Sequence, residues 1–290
     1  MKLAYYPGCS LKASASPYQD STLLVAERLG IELEEVPEWV CCGATPTHST
    51  SPLLSLALPL QNLLQVEGMG VEKVALPCAA CYGRFRVADY QMKNNAGLRS
   101  QLETALGAKY RGSVAILHLL DLLVNHVGLE TVREKIRKPL SGLKLACYYG
   151  CLLTRPPEVV AFDEPDNPSS MDRLMEAAGA TTVEWPYKTE CCGATLGISY
   201  LEVAARLITQ ILRAALRAGA EMVVVACPLC QPNLDVRQEE AAKIMGQSLR
   251  VPVVYFTQLL ALALGQEAGK LGLEKNIIDP TAILRQRRVI

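Results

Sequence analysis

Four short apolar runs stand out along the chain: LAYY (3–6), KVALP (73–77), LACYY (145–149) and MVVVAC (222–227). Each ends in a turn of Pro, Gly or Cys, the pattern of a buried strand. Between them, apolar residues recur at helical spacing over 17–29, 51–67, 197–218 and 232–245. Strand and helix alternating in this way predict a mainly parallel sheet covered by helices, an α/β fold.

Composition narrows the function. The chain has 290 residues, half of them hydrophobic, with 29 Lys and Arg against 29 Asp and Glu. A disordered chain is excluded by that apolar content. Zero net charge and no long basic run argue against a nucleic-acid partner. No apolar run reaches the length of a membrane span. MKLAYYPGCS has too little apolar length before Pro7 and Gly8 for a signal peptide. A soluble, cytoplasmic protein is therefore expected. Eleven cysteines in a reducing compartment point to metal or redox chemistry rather than to structural disulfides.

The cysteines repeat. With Cys147 set aside, Cys9, Cys41, Cys42, Cys78 and Cys81 form one set; Cys151, Cys191, Cys192, Cys227 and Cys230 form another. The offsets between equivalents are 142, 150, 150, 149 and 149. Neighbouring residues match too: AYYPGC (4–9) with CYYGC (147–151), VCCGATP (40–46) with ECCGATL (190–196), VALPCAAC (74–81) with VVACPLC (224–230). This is an internal duplication with one insertion, expected in the acidic, Pro-rich FDEPDNP (162–168). It predicts two pseudo-symmetric α/β halves, residues 1–140 and 141–290. Cys9, Cys78, Cys151 and Cys227 each follow a predicted strand, and open α/β sheets collect ligands at strand carboxyl ends. Each half should gather its five thiols on one rim, the two rims facing a shared cleft.

Five thiolates per half limit what can be bound. A structural zinc takes four ligands, usually from two Cys-x-x-Cys knuckles, whereas each half has one knuckle, one adjacent pair and one single Cys. The planar peptide between adjacent cysteines splays their side chains, so a pair reaches two metal atoms more readily than one. A cubane 4Fe-4S cluster needs four thiolates. Five, repeated, suggest a larger or more open iron–sulfur assembly. A thioredoxin-like dithiol at Cys78/Cys81 or Cys227/Cys230 would leave the other thiols without a role.

The doubled motif Cys-x31–39-Cys-Cys-Gly-x34–35-Cys-x-x-Cys resembles the paired CCG domains of the B subunit of heterodisulfide reductase. CYYGCLLTRPPEV (147–159), DNPSSMDRLMEAAGA (166–180) and ACPLCQPNLDVRQ (226–238) are similar to its second half. The resemblance implies that each set of five cysteines holds a noncubane 4Fe-4S cluster. It also implies that a disulfide binds between the two clusters and is cleaved reductively, each sulfur captured by one cluster. Implied partners are a ferredoxin-like C subunit and, through it, a flavin-containing A subunit. An alternative from CCG relatives in lactate and fumarate systems is an electron relay to a quinone or another protein. The physiological disulfide, whether that of coenzymes M and B or another, is not specified by the motif.

Other residues divide less sharply. Gly43 and Gly193 either let backbone approach a cluster or form plain turns, and Pro77 and Pro228 are read as turn-setting. Cys147, in the place of Tyr5, reads as a small buried hydrophobe. His48 either protonates a departing thiolate or is an ordinary loop histidine, while His118 and His126 read as structural. Lys12, Arg84, Arg155 and Lys188 lie near ligands and either bind an anionic thiol or are solvated. RQRR (285–288) reads as a polar tail or a docking segment. Gly68 and Gly70 complete no dinucleotide fingerprint, and no Walker loop is present.

Overall fold

The computed structural model describes every residue except Thr45, Pro46 and Gln247, and of His48 the backbone only. Strands β1 (Lys2–Tyr5), β2 (Glu32–Glu35), β3 (Lys73–Leu76) and β4 (Ala115–His118) form one sheet in the order β2-β1-β3-β4. Strands β5 (Lys144–Tyr148), β6 (Thr181–Thr182), β7 (Met222–Val225) and β8 (Val253–Tyr255) form another in the order β6-β5-β7-β8. All pairings are parallel. The fold is thus α/β, with two halves of the same strand order.

The four strands expected from sequence are the central pairs β1/β3 and β5/β7. Parallel strands covered on both faces need continuous apolar runs, and Met222, Val223, Val224 and Val225 are all fully buried. The edges differ. β2 reads ELEE, with Lys2 reaching Glu34 at 3.0 Å across the exposed edge. β6 is two residues long. Neither carries an apolar signal.

Seven helices position the site. Helix α1 (Ser16–Leu29) has Pro17 in its first turn and closes on Gly30, whose φ is 71°. Helix α2 (Pro52–Gly68) is capped by Ser51, which accepts from Leu54 N at 3.2 Å, a contact worth about 1 kcal/mol. Helices α3 (Ala79–Asn94), α4 (Leu201–Arg217), α5 (Cys230–Asp235), α6 (Gln238–Met245) and α7 (Phe256–Ala263) complete the set. The helix expected over 232–245 is in fact two, α5 and α6. The break follows Asp235, whose carboxylate is held from outside the helix by the N–H groups of Ile277 and Ile278 at 2.8 and 3.1 Å. Ten residues lie between β1 and α1, while 21 separate β5 from the helix Ser170–Ala177. That longer segment contains 162–168.

The halves interlock rather than merely touch. Helix α1 of the first half packs on α7 of the second, with Ser21 Oγ 2.6 Å from Thr257 Oγ1. Tyr18 stacks on Tyr255, centroids 4.3 Å apart and planes 6° from parallel, worth about 0.5–1.5 kcal/mol beyond area burial. On α3, Tyr82 donates to Val160 O and Arg86 to Val159 O.

Candidate metal centre

A 2-1-3-4 strand order changes direction between β1 and β3, and between β5 and β7. Such switch points open a crevice at the strand carboxyl ends. The segments that follow these four strands, loops and the first turns of the helices after them, carry Cys9, Cys78 and Cys81 in one half, and Cys151, Cys227 and Cys230 in the other. The adjacent pairs, Cys41–Cys42 and Cys191–Cys192, arrive on loops after the edge strands β2 and β6.

The thiols meet in the same pattern twice. Cys9 Sγ lies 3.9 Å from Cys41 Sγ, and Cys42 Sγ lies 3.1 Å from Cys81 Sγ. In the second half Cys151 contacts Cys191, and Cys192 Sγ lies 3.5 Å from Cys230 Sγ. Cys42, Cys78, Cys81, Cys192, Cys227 and Cys230 are buried, whereas Cys9, Cys41 and Cys191 are exposed. The thiols of Cys78 and Cys227, one from each half, are close enough to perturb each other's protonation. Among the described residues the thiols approach in pairs; no three His, Cys, Asp or Glu groups surround a single ion position.

These contacts separate the protonation states. The hydrogen bond from Cys41, and then that from Cys81, brings the Cys42 thiol down to about 4, with Arg84 adding a smaller effect. Cys41 is correspondingly raised. Cys191 falls to about 6 through Cys151, which rises. Cys227 is lowered by hydrogen bonds from Cys230 and then Cys78, both of which rise. Cys42, Cys191 and Cys227 are thus biased toward thiolate, the form that ligates metal.

Backbone shapes the pocket around the sulfurs. Gly43 and Gly193 have φ of 71° and 77°, and their N–H groups point at Cys41 Sγ and Cys191 Sγ at 3.5 and 3.3 Å. Both are therefore turns that also present backbone to sulfur. Sequence reasoning passed over Gly8 and Gly150, which have φ of 73° and 72°. A Cβ there would sit 3.2 Å from Cys81 Sγ or 3.3 Å from Cys230 Sγ. It also passed over Tyr6 and Tyr148, whose hydroxyls donate to Val40 O at 2.8 Å and Glu190 O at 2.5 Å. Each anchors the residue before a Cys–Cys pair. The repeated Tyr and Gly in AYYPGC and CYYGC were the available signal.

A cavity of about 220 Å³ opens beside all five thiols of the second set, with apolar walls that include Leu152, Leu229 and Ala79 of the other half. Larger grooves of about 620 and 770 Å³ flank α4 and α5 but are lined by no cysteine. We take the smaller cavity as the chemical site, because soft donors converge there.

The remaining candidates fall into place. Cys147 is fully buried and its thiol is raised by burial, with Asp172 and Lys188 as its nearest charged groups. Lys188 is not a solvated cation: it is buried, 3.2 Å from Asp172 Oδ1, while its carbonyl accepts from Tyr149 N and Gly150 N. Lys12 pairs with Glu35 at 2.6 Å and Arg155 with Asp166 at 2.8 Å. Arg84 has no carboxylate partner among the described residues and acts on Cys42. His118 is buried and structural, whereas His126 is exposed beside Lys73. The side chain of His48 lies outside the described residues. The 285–288 segment is tied down by Arg287 on Glu221 at 2.7 Å.

The comparisons with known proteins follow this duplication. Residues 3–86 and 145–235 each match the cysteine-rich domain family CCG. The chain is 35% identical to the 8-methylmenaquinol:fumarate reductase membrane anchor subunit of Wolinella succinogenes, over 97% of this chain and 99% of that one. It is 30% identical to the B subunit of the ferredoxin/F420H2-dependent CoB-CoM heterodisulfide reductase of Methanosarcina acetivorans, over 96% and 94%. The crystal structure of a hypothetical protein from Helicobacter pylori superposes with a TM-score of 0.74 at 14% identity, covering 95% of this chain and 52% of that one. That likeness is one of fold.

Proposed function

The chain belongs to the CCG cysteine-rich family that includes heterodisulfide reductase B subunits, and on that premise we propose that it is the disulfide-reducing B-type subunit of a heterodisulfide-reductase-like complex. The observation that carries this reading is the repeated gathering of five thiols at the strand ends of each half, with Cys78 of one set and Cys227 of the other close enough to perturb each other.

Cys9, Cys41, Cys42, Cys78 and Cys81 would hold one noncubane 4Fe-4S cluster, and Cys151, Cys191, Cys192, Cys227 and Cys230 the other. We divide the chain into CCG domains at 1–140 and 141–290. The residues fit such a group: the donors are soft thiolates, positive-φ glycines keep the sulfurs uncrowded, and the cavity walls are apolar. When bound, the clusters would supply electrons for R–S–S–R′ + 2e⁻ + 2H⁺ → RSH + R′SH, in which the S–S bond breaks and two thiols form. The chain's own part is to hold the two centres apart at a set distance and to line the second with apolar walls. Arg84 would favour an anionic thiol product near the first. His48 is the candidate proton donor. Electrons would come from a ferredoxin-like C subunit fed by a flavin-containing A subunit, in the cytoplasm.

One observation favours a second reading. The relative at 35% identity is named as the membrane anchor subunit of a methylmenaquinol-dependent reductase, which is consistent with a chain that relays electrons to or from a quinone. Among the described residues no helix is long and apolar enough to cross a membrane, so any such contact would be made at a surface. Stopped-flow mixing of the reduced, cluster-loaded chain with disulfides and with quinones separates the two. Rapid reoxidation by a disulfide is expected. Reoxidation by a quinone and by no disulfide would replace the reductase reading with the relay.

A further inference from the structure

Of the seam between the two thiol sets the mechanism above uses only the thiols of Cys78 and Cys227, and assigns no role to the backbone that carries them. Pro77 and Ala226 immediately precede Cys78 and Cys227, and their carbonyls lie beyond the last ladder bonds of β3 and β7. Buried carbonyls in this position need donors from elsewhere. The Tyr18 hydroxyl serves both, 2.9 Å from Pro77 O and 3.3 Å from Ala226 O. It comes from α1 of the first half, and its ring is clamped on Tyr255 at the end of β8 in the second. His118, ending β4, places Nε2 2.8 Å from Pro77 O, and its Nδ1 accepts from Leu120 N at 3.1 Å. That pairing fixes the neutral tautomer with the proton on Nε2, so His118 is a second donor to the same carbonyl.

We propose that Tyr18, with His118 behind it, is a positioning pair that sets the separation of the two metal centres by pinning the carbonyls before Cys78 and Cys227 to one hydroxyl. This rests on the reading that both thiol sets are loaded with iron–sulfur clusters. It goes beyond that reading by assigning the spacing between centres to residues that ligate neither. Partners behind metal ligands commonly orient them; here one hydroxyl does so for two ligands from different halves.

The test is Tyr18→Phe in the full chain, loaded with iron and sulfide and reduced chemically. The stacking on Tyr255 survives this change and only the two donated contacts are lost. Iron and sulfide per chain should equal wild type, whereas the magnetic interaction between the two centres, read by electron paramagnetic resonance, should weaken roughly twofold or more. A purely structural role would lower the unfolding midpoint and leave that interaction unchanged, and this result would overturn the proposal. If Tyr18→Phe fails to fold or load, His118→Phe takes its place, because it removes one of the two donors to Pro77 O and leaves Tyr18 intact. It should weaken the interaction in the same direction but less, and an unchanged interaction sinks the idea. A wild-type chain that takes up no iron or sulfide overturns the parent reading first, and this one with it.

Discussion

Replacing Gly150 by Ala isolates the close approach of backbone to sulfur. Two penalties add at this position. At φ of 72° an L residue costs roughly 1–2 kcal/mol more than Gly. The new Cβ would also lie 3.3 Å from Cys230 Sγ and 3.5 Å from Tyr148 Cε1, so one neighbour must give by a few tenths of an ångström. Overpacking of that kind costs about 1 kcal/mol at its mild end, for a total of roughly 2–3 kcal/mol. Gly30 supplies the control, with φ of 71° and no atom within 4 Å of its would-be Cβ. Gly30→Ala should therefore show the backbone cost alone, about 1–2 kcal/mol. Urea unfolding followed by Trp185 fluorescence in a Trp39→Phe background reports the second half, because Trp185 is buried with Nε1 on Cys147 O at 3.2 Å. The displaced sulfur should also cost Gly150→Ala its second cluster, so iron per loaded chain falls to about half, while Gly30→Ala keeps full iron. Equal destabilisation of the two variants with full iron in both would refute the reasoning.

Two more expectations concern the second half. Cys151→Ser should halve the iron bound, whereas Cys147→Ala should leave it at the wild-type level; equal losses would show that the eleven cysteines are wrongly divided. Lys188→Met should destabilise by about 3–5 kcal/mol at neutral pH, because Asp172 is left charged and buried. Burial already raises the Asp172 carboxyl above its ordinary value, so its protonated form is favoured by folding. The associated stability is greatest below the unfolded value and is lost as pH rises through the folded one. Removing the cation widens that window, and the deficit of Lys188→Met should shrink on acidification. A deficit that grows toward acid pH in chemical denaturation would contradict this account.

Much of the site was legible in the chain itself because it is written locally. Apolar runs long enough to be covered on both faces mark β1, β3, β5 and β7, and Cys9, Cys78, Cys151 and Cys227 follow close behind them. Those strands are the central pairs of both sheets; where the strand order reverses between them is a matter of tertiary structure. Two of the four edge strands, β2 and β6, were less visible: ELEE becomes a strand only because β1 offers it a parallel partner, and Thr181–Thr182 is too short to show a period.

By itself the sequence determined the duplication, the α/β class, the ten paired thiols and the separateness of Cys147, because residue type and spacing along one chain carry all of these. Tertiary structure alone decided what lies across the seam. The contact of Cys78 with Cys227 joins residues 149 apart in sequence, and Tyr18 reaches Ala226 across 208. Lys188 looks like any solvated lysine until Asp172 is found beside it in the core. Such contacts depend on how two sheets dock, and docking follows from the summed packing of α1 against α7 and of α3 against 157–160, which no local pattern encodes.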